Sequence, residues 1–353
     1  MIEHRSGGHI TLLFSIDKSP RLPRSQGSLG AGFTIQHGVV IQASLTTLEP
    51  TEVKVLAGSK PEGKRTDEKI ASVNLNIVDS NGEAVEDSSL YLDLIEGCRN
   101  ATLLRPNEGI EADITIECPL SQGLGMSAAG LMAMGNIIHQ LTGRGRLNQY
   151  YKIAHRIERK HGSGLGDVLG ASVGGVELRL QPGAPGWPGQ AVSFNADIPV
   201  ILVWEDGGAK HTSDYINNPG WQRSITDAGL SCMKSLREGE WNENKWELLL
   251  DESQNFADRS GMMDETIRAQ LRQTVDTILV QQGLQDLLIV RMCMLGTSVA
   301  IVPRTLTELP EDENIDQFME ALSTTGLGVL LSRVAPVTTL HQTPIDQADL
   351  HPA

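Results

Sequence analysis

The run Pro119-Leu-Ser-Gln-Gly123-Leu124-Gly125-Met126-Ser127-Ala128-Ala129 joins a predicted strand to a predicted helix, and its residue types suit an anionic ligand. Gly123 and Gly125 carry no Cβ, so the backbone can approach a ligand closely there and adopt positive φ where a turn needs it. The first N–H groups of the following helix have no partner within it, and the helix dipole adds partial positive charge at that end. Ser127 falls in the first turn, where its hydroxyl can meet a phosphate or a divalent cation. Small Ala128 and Ala129 let the helix sit close to its neighbours. The same pattern also fits a glycine-rich corner that binds nothing.

A second turn, His161-Gly-Ser-Gly-Leu-Gly-Asp167, ends in a carboxylate, and Gly174-Gly175 follow. An Asp held by glycines between a helix and a strand can accept the proton of a hydroxyl aligned with a phosphorus centre. Positioning and electrostatics supply most phosphoryl-transfer catalysis, so a carboxylate near its ordinary pKa suffices. The competing reading is an Asx-turn or a helix cap.

Two other glycine patterns are decoys. Gly123-Leu-Gly125-Met-Ser-Ala128 fits the dinucleotide fingerprint, which needs a strand ending in an acidic residue about 20 positions on. That region is Gly143-Arg-Gly145-Arg followed by a helix. Gly58-Ser-Lys-Pro-Glu-Gly63-Lys64-Arg65 approaches a Walker A loop, but Arg65 stands where Ser or Thr is required and no apolar helix follows. A solvated charged loop is expected there.

The elements that must hold these residues follow from periodicity. His9–Ile16, Phe33–Leu45, Glu52–Leu56, Val73–Val78 and Ala112–Cys118 read as strands. Ser127–Leu141 and Asn148–Lys160 read as helices, and Val173–Leu180 returns to strand. Pro182–Gly189 (PGAPGWPG) is a rigid turn that marks a domain boundary. Beyond it, strands at Val200–Trp204, Leu287–Val290 and Val299–Val302 interleave with helices at Trp221–Leu236, Trp246–Arg259 and Asp264–Gln282. That alternation predicts a two-layer α+β sandwich. The expected division is a first domain over 1–190, a second over 191–337 and a polar tail over 338–353.

Composition narrows the function further. The 353 residues carry 44 acidic and 29 basic side chains, a net charge of −15. Such a field disfavours nucleic acid and anionic membrane surfaces. An anionic ligand must therefore be held by local donors, a helix end or a cation. The four cysteines form no CxxC pair, which points to reduced, buried thiols, and the nine histidines form no zinc-like cluster. Met1–Gly8 lacks the apolar region of a signal peptide, and no 18-residue apolar run is present, so a cytoplasmic address is expected.

PLSQGLGMSAA resembles the second motif of the GHMP kinases, Pro-x3-Gly-Leu-Gly-Ser-Ser-Ala-Ala, with Met126 at the first serine. The resemblance implies the α+β GHMP kinase fold. In that fold a ribosomal-S5-like α/β domain is followed by a ferredoxin-like α+β sandwich domain. It also implies ATP as phosphoryl donor, with Pro119, Gly123, Leu124, Gly125, Met126, Ser127, Ala128 and Ala129 around its phosphates. Asp-x6-Gly-Gly after a Ser-Gly turn is similar to the catalytic segment of mevalonate-kinase-type members. That implies Asp167 as base, and Glu158 with Ser127 as partners of Mg2+.

Gly8-His9-Ile10-Thr11, the loop Gly27-Ser28-Leu29-Gly30-Ala31-Gly32, Gly164–Val168 and Pro182–Pro185 look most like the branch of that family acting on pantoate. Met292-Cys-Met-Leu295-Gly296-Thr297 resembles its third, glycine-bearing motif. This implies ATP-dependent phosphorylation of pantoate to 4-phosphopantoate on a route to coenzyme A. His9, Gly27, Ser28 and Gly30 are then candidates around the substrate. Leu29 stands where that loop often carries Arg, so Arg21, Arg24 and Lys210 are candidates to meet a substrate carboxylate. His9 stands where many members have Lys, and it is either a satisfied structural histidine or a ligand contact. Homoserine, mevalonate or a related hydroxy acid, or a catalytically silent metabolite binder, are the alternatives. The family often forms dimers, so a homodimer is one expected state.

Overall fold

In a computed structural model, residues 1–48, 70–205 and 215–338 are described. The expected strand Glu52–Leu56, the charged loop around Gly58–Asp67, Lys210 and the tail beyond Thr338 lie outside these residues.

The first lobe is built on one long hairpin. β1 (Ile2–Phe14) pairs antiparallel with β2 (Gly30–Thr47), and bulges interrupt the register between Gly7 and His9 and between Thr11 and Leu13. The other edge of β2 is shared: its C-terminal half pairs with β4 (Glu108–Ile116), its first four residues with β5 (Val176–Gln181). β3 (Val73–Val78) adds parallel to β4, and β6 (Gln190–Phe194) adds antiparallel to β5. The expected boundary at 190/191 thus falls at the start of a strand of the first sheet, and the sheets change between Phe194 and Pro199.

Helices cover this sheet. α1 (Ser89–Asn100), α2 (Met126–Thr142) and α3 (Leu147–His161) pack on one another, and α4 (Asp167–Val173) is a short helix against β1 and β2. α2 is apolar nearly all round and is the buried central helix, as its Ala, Leu, Met and Ile content dictates.

The second lobe runs β7 (Pro199–Trp204), α5 (Pro219–Leu236), α6 (Trp246–Arg259), α7 (Thr266–Gln281), β8 (Leu288–Cys293), β9 (Ser298–Pro303), α8 (Asp312–Ser323) and β10 (Gly328–Arg333). Its four strands form an antiparallel sheet in the order β10-β7-β9-β8. This is the ferredoxin-like order, so the expected second-domain architecture is present.

The two lobes share one core. The Phe14 and Phe256 rings lie 5.5 Å apart and those of Phe33 and Trp246 6.3 Å, and such pairs each add about 0.5–1.5 kcal/mol beyond area burial. Met294 N–H donates to Thr11 O at 3.1 Å, so the end of β8 is tied to the strand that carries His9. The chain returns to the first sheet after β10, where Ala335 N–H donates to Thr34 O at 2.7 Å. Among the described residues no helix is long and apolar enough to cross a membrane.

Candidate active site

The glycine corner forms as its residue types require. Gly125 caps α2 in the left-handed region at φ 71°, and Gly123 has φ 73°. Both also permit close backbone contact. A Cβ on Gly125 would come within 2.6 Å of the His9 amide nitrogen, and one on Gly123 within 2.6 Å of Met294 O. These glycines therefore seat the loop against β1 and the second lobe, and the space a side chain would take at Gly125 is backbone, not ligand space. Behind the loop, a Cβ on Gly296 would fall 2.0 Å from the Gln122 carbonyl. Thr297 N–H donates to Gln122 Oε1 at 3.0 Å, and Gln122 Nε2–H donates to Glu205 O at 2.9 Å. The third glycine motif thus backs the corner; Met294 and Leu295 of it line the cleft, whereas Gly296 and Thr297 do not.

A cleft of about 320 Å³ opens at this corner. Pro119, Gly123, Leu124, Gly125, Met126, Ser127 and Ala128 line one side; Ala129 is buried behind them. Glu158, Asp167, Ser28, Thr11 and Arg179 line another part. Ile77, Val85, Leu90 and Ile116 make an apolar end. The corner and the acidic residue read from sequence are therefore brought together, with α2 directing its unpaired N-terminal amides into shared space.

Asp167 is the first residue of α4, with its side chain 23% exposed toward the cleft. His9 Nδ1–H donates to its Oδ1 at 2.9 Å, and the Thr11 hydroxyl donates to the same oxygen at 3.1 Å. Burial alone raises a carboxyl pKa, but His9, Arg179 and Thr11 outweigh it, and Asp167 is held below its ordinary value. It is an ionised acceptor at neutral pH.

Glu158, in the last turns of α3, has the opposite environment. Burial first, then the Asp167 charge, push its pKa up to about 8. A Cβ on Gly164 would come within 2.3 Å of Glu158 Oε1 and 2.6 Å of Asp167 Oδ2, so the two carboxyl groups converge over that glycine. Glu158 Oε2 is buried without a hydrogen bond, with His155 Nδ1 4.0 Å away. With the Ser127 hydroxyl it offers two hard oxygens beside the corner, which fits Mg2+. Among the described residues no group of three or more His, Cys, Asp or Glu could hold a metal by itself.

The substrate-side expectations fare unevenly. Ser28 lines the cleft, and its buried Oγ has no hydrogen-bond partner. His9 is fully buried and reaches the cleft only through Asp167. Gly27 and Gly30 do not line it; they make room for Gly183 and for the Arg179 guanidinium. Arg21 and Arg24 are exposed and away from the lining, with Arg24 stacked 5.0 Å over Trp187. Leu29 packs against the apolar core, so the usual arginine position does not face the cleft here.

Among the described residues the arginine that lines the cleft is Arg179 of β5, which the sequence reading missed. It is 1% exposed, and a Cβ on Gly166 would come within 2.3 Å of its Nη1 and 2.2 Å of Ser28 Oγ. Its Nε lies 3.5 Å from Glu177 Oε1. The available signal was Glu177-x-Arg179, a charge pair on one face of an otherwise apolar strand.

Residues 92–175 match the family described as GHMP kinases N terminal domain. A pantoate kinase of Methanocaldococcus jannaschii is 28% identical over 261 residues, covering 74% of this chain and 81% of that protein. A pantoate kinase of Thermococcus kodakarensis is 25% identical over 321 residues, covering 90% and 91%. A solved structure described as a phosphotransferase related to the CoA biosynthesis pathway superposes with a TM-score of 0.69 at 22% identity, covering 94% of this chain and 95% of that one.

Proposed function

We propose that the chain is an ATP-dependent small-molecule kinase of the GHMP type that transfers the γ-phosphoryl group of ATP to the primary hydroxyl of pantoate, giving 4-phosphopantoate. One observation carries the reading: a glycine-capped helix N-terminus, an ionised aspartate and a buried arginine beside a serine hydroxyl with no hydrogen bond share one cleft. The pantoate kinases similar over most of this chain support the choice of substrate.

In this reading the adenosine end of ATP takes the apolar part of the cleft near Ile77 and Ile116, and its phosphates take the amides that follow Gly125. The pantoate carboxylate meets the Arg179 fork and the Ser28 hydroxyl, a charge-assisted arrangement that lysine could not reproduce. This presents the primary hydroxyl to Asp167, whose carboxylate accepts its proton. The hydroxyl oxygen forms the new bond to the γ-phosphorus, and the bond to the β–γ bridging oxygen breaks, releasing ADP. Ser127 and Glu158 would hold Mg2+, which supplies charge neutralisation on the phosphate oxygens when bound. The two domains divide between Phe194 and Pro199, with the reacting groups contributed by the first.

A coupled ADP-release assay with pantoate, homoserine, mevalonate and shikimate tests this reading, with the phosphorylated carbon assigned by 31P NMR. Pantoate should give turnover well above the others. Preference for homoserine or mevalonate contradicts the substrate assignment. ADP release with none of them, despite ligand-induced thermal stabilisation, contradicts the kinase.

A further inference from the structure

Glu177 is fully buried on β5 and is not among the residues lining the cleft, yet it touches both cations of the site. Its Oε1 lies 3.0 Å from His9 Nε2 and 3.5 Å from Arg179 Nε. The other nitrogen of the same imidazole faces Asp167 Oδ1 at 2.9 Å. A neutral imidazole has one N–H, so it can donate to only one of two carboxylates. Both contacts are hydrogen bonds to ionised carboxylates only when the ring is doubly protonated.

The groups facing His9 favour that state. β1 contributes the Thr11 hydroxyl, 3.4 Å from Nδ1. α4 contributes Asp167, and a Cβ on its Gly170 would fall 2.3 Å from Nε2, so the helix clamps the ring in place. β5 contributes Glu177 and, beyond it, Arg179. α3 contributes Glu158 at longer range, and the α2 cap contributes the backbone at Gly125. Burial alone would lower the His9 pKa, but the two carboxylates outweigh it and raise it. His9 and Arg179 then balance the charges of Asp167 and Glu177, and of the four only the Asp167 side chain is appreciably exposed.

We propose that Glu177 is a positioning residue that acts through both cations: it holds His9 as an imidazolium against Asp167, and it fixes the Arg179 fork for the substrate carboxylate. This rests on the kinase reading above for the role of Arg179, but not for the charge state of His9. Without the Glu177 charge, His9 keeps one carboxylate and loses its second proton at lower pH. Asp167 then loses its neighbouring cation, and Arg179 loses its ion-pair partner and keeps, among the described residues, only the hydrogen bond from Nη2 to Leu13 O at 3.4 Å.

The test compares wild type with Glu177→Gln in two arms. In 15N-histidine NMR, the His9 ring, assigned with His9→Gln, should stay doubly protonated to higher pH in wild type than in Glu177→Gln, by about one pH unit or more. This arm needs no substrate, so it decides the charge chain even where the proposed substrate fails. In turnover, the alkaline limb of kcat/KM should move to lower pH by a similar amount, and KM for the hydroxy acid should rise about tenfold while KM for ATP holds. A merely structural role scales the whole profile down without moving its limb, and that result, or a His9 titration unchanged from wild type, overturns the proposal. Should the Gln variant not fold, Glu177→Asp retracts the same charge by one methylene. Its His9 titration should fall below the wild-type value, and an unchanged one overturns the proposal equally.

Discussion

Gly296→Ala is the sharpest structural perturbation of the phosphate corner. Its new Cβ would sit 2.0 Å from the Gln122 carbonyl and 2.5 Å from the Gly123 amide nitrogen, against an ordinary contact of 3.4 Å or more. The two loops must part by more than an ångström. The left-handed residue of this turn is Leu295 at φ 69°, so alanine at 296 meets a steric barrier and no left-handed strain of its own. Parting the loops strains the Thr297–Gln122 and Gln122–Glu205 hydrogen bonds that hold the corner to the second lobe. A misplacement of about 1 Å in a positioning element costs roughly 100-fold in rate. Overpacking of this kind costs about 1–3 kcal/mol of stability, which a domain of ordinary stability survives. Steady-state ADP release with varied ATP should therefore show kcat/KM for ATP reduced about 100-fold, with circular dichroism and a cooperative melt retained. Wild-type kcat/KM in a folded variant would refute the idea that the 295–297 turn sets the corner.

Two further outcomes follow from the site's charges. Glu158 keeps its proton up to about pH 8 when folded and releases it near 4.5 when unfolded, so in EDTA its contribution to stability declines as pH rises between those values. Glu158→Gln should match wild type in melts near pH 4.5 and exceed it at pH 8, while turnover with Mg2+ falls; a stability difference that does not change with pH contradicts the buried, protonated carboxyl. Arg179→Lys keeps the charge but loses the planar fork, and hydrogen bonds to charged groups contribute about 1.5–3 kcal/mol. KM for the hydroxy acid should rise on the order of 10- to 100-fold with little change in KM for ATP, and an unchanged KM removes Arg179 from the substrate site.

Local signals made the glycine corner and the turn ending in Asp167 stand out in sequence, whereas Glu158 is named only through the family resemblance. Glycines and alanines at a strand–helix junction have few other uses in that spacing, and a carboxylate fenced by Gly164 and Gly166 stands out. α2, α3, β3 and β7 also fell close to the periodicity reading, because each has a clear apolar pattern. What escaped depends on non-local pairing. Arg179 and Glu177 sit in a short strand whose charged face looks solvent-exposed in sequence, and it is buried only because β2, β6 and α4 close around it. α4 hides behind the glycines that flank it, and its last residue, Val173, reads as the start of the next strand. α1 and α8 were missed because neither has a side-chain N-cap, and only α8 has acidic residues, Asp312 and Glu313, in its first turn. His9 was weighed as a possible ligand contact, but the bulge after Gly7 helps to set it inside, against the base.

Asp167→Asn bears most directly on the claim that this cleft aligns a hydroxyl with a nucleotide's terminal phosphate. The amide can still accept from His9 and Thr11, so the surrounding structure has reason to persist, but it cannot take up the proton. Calorimetry should show ATP binding close to wild type, while turnover falls about 100-fold or more, as expected for a lost general base. A folded variant that turns over pantoate at the wild-type rate would contradict the assignment.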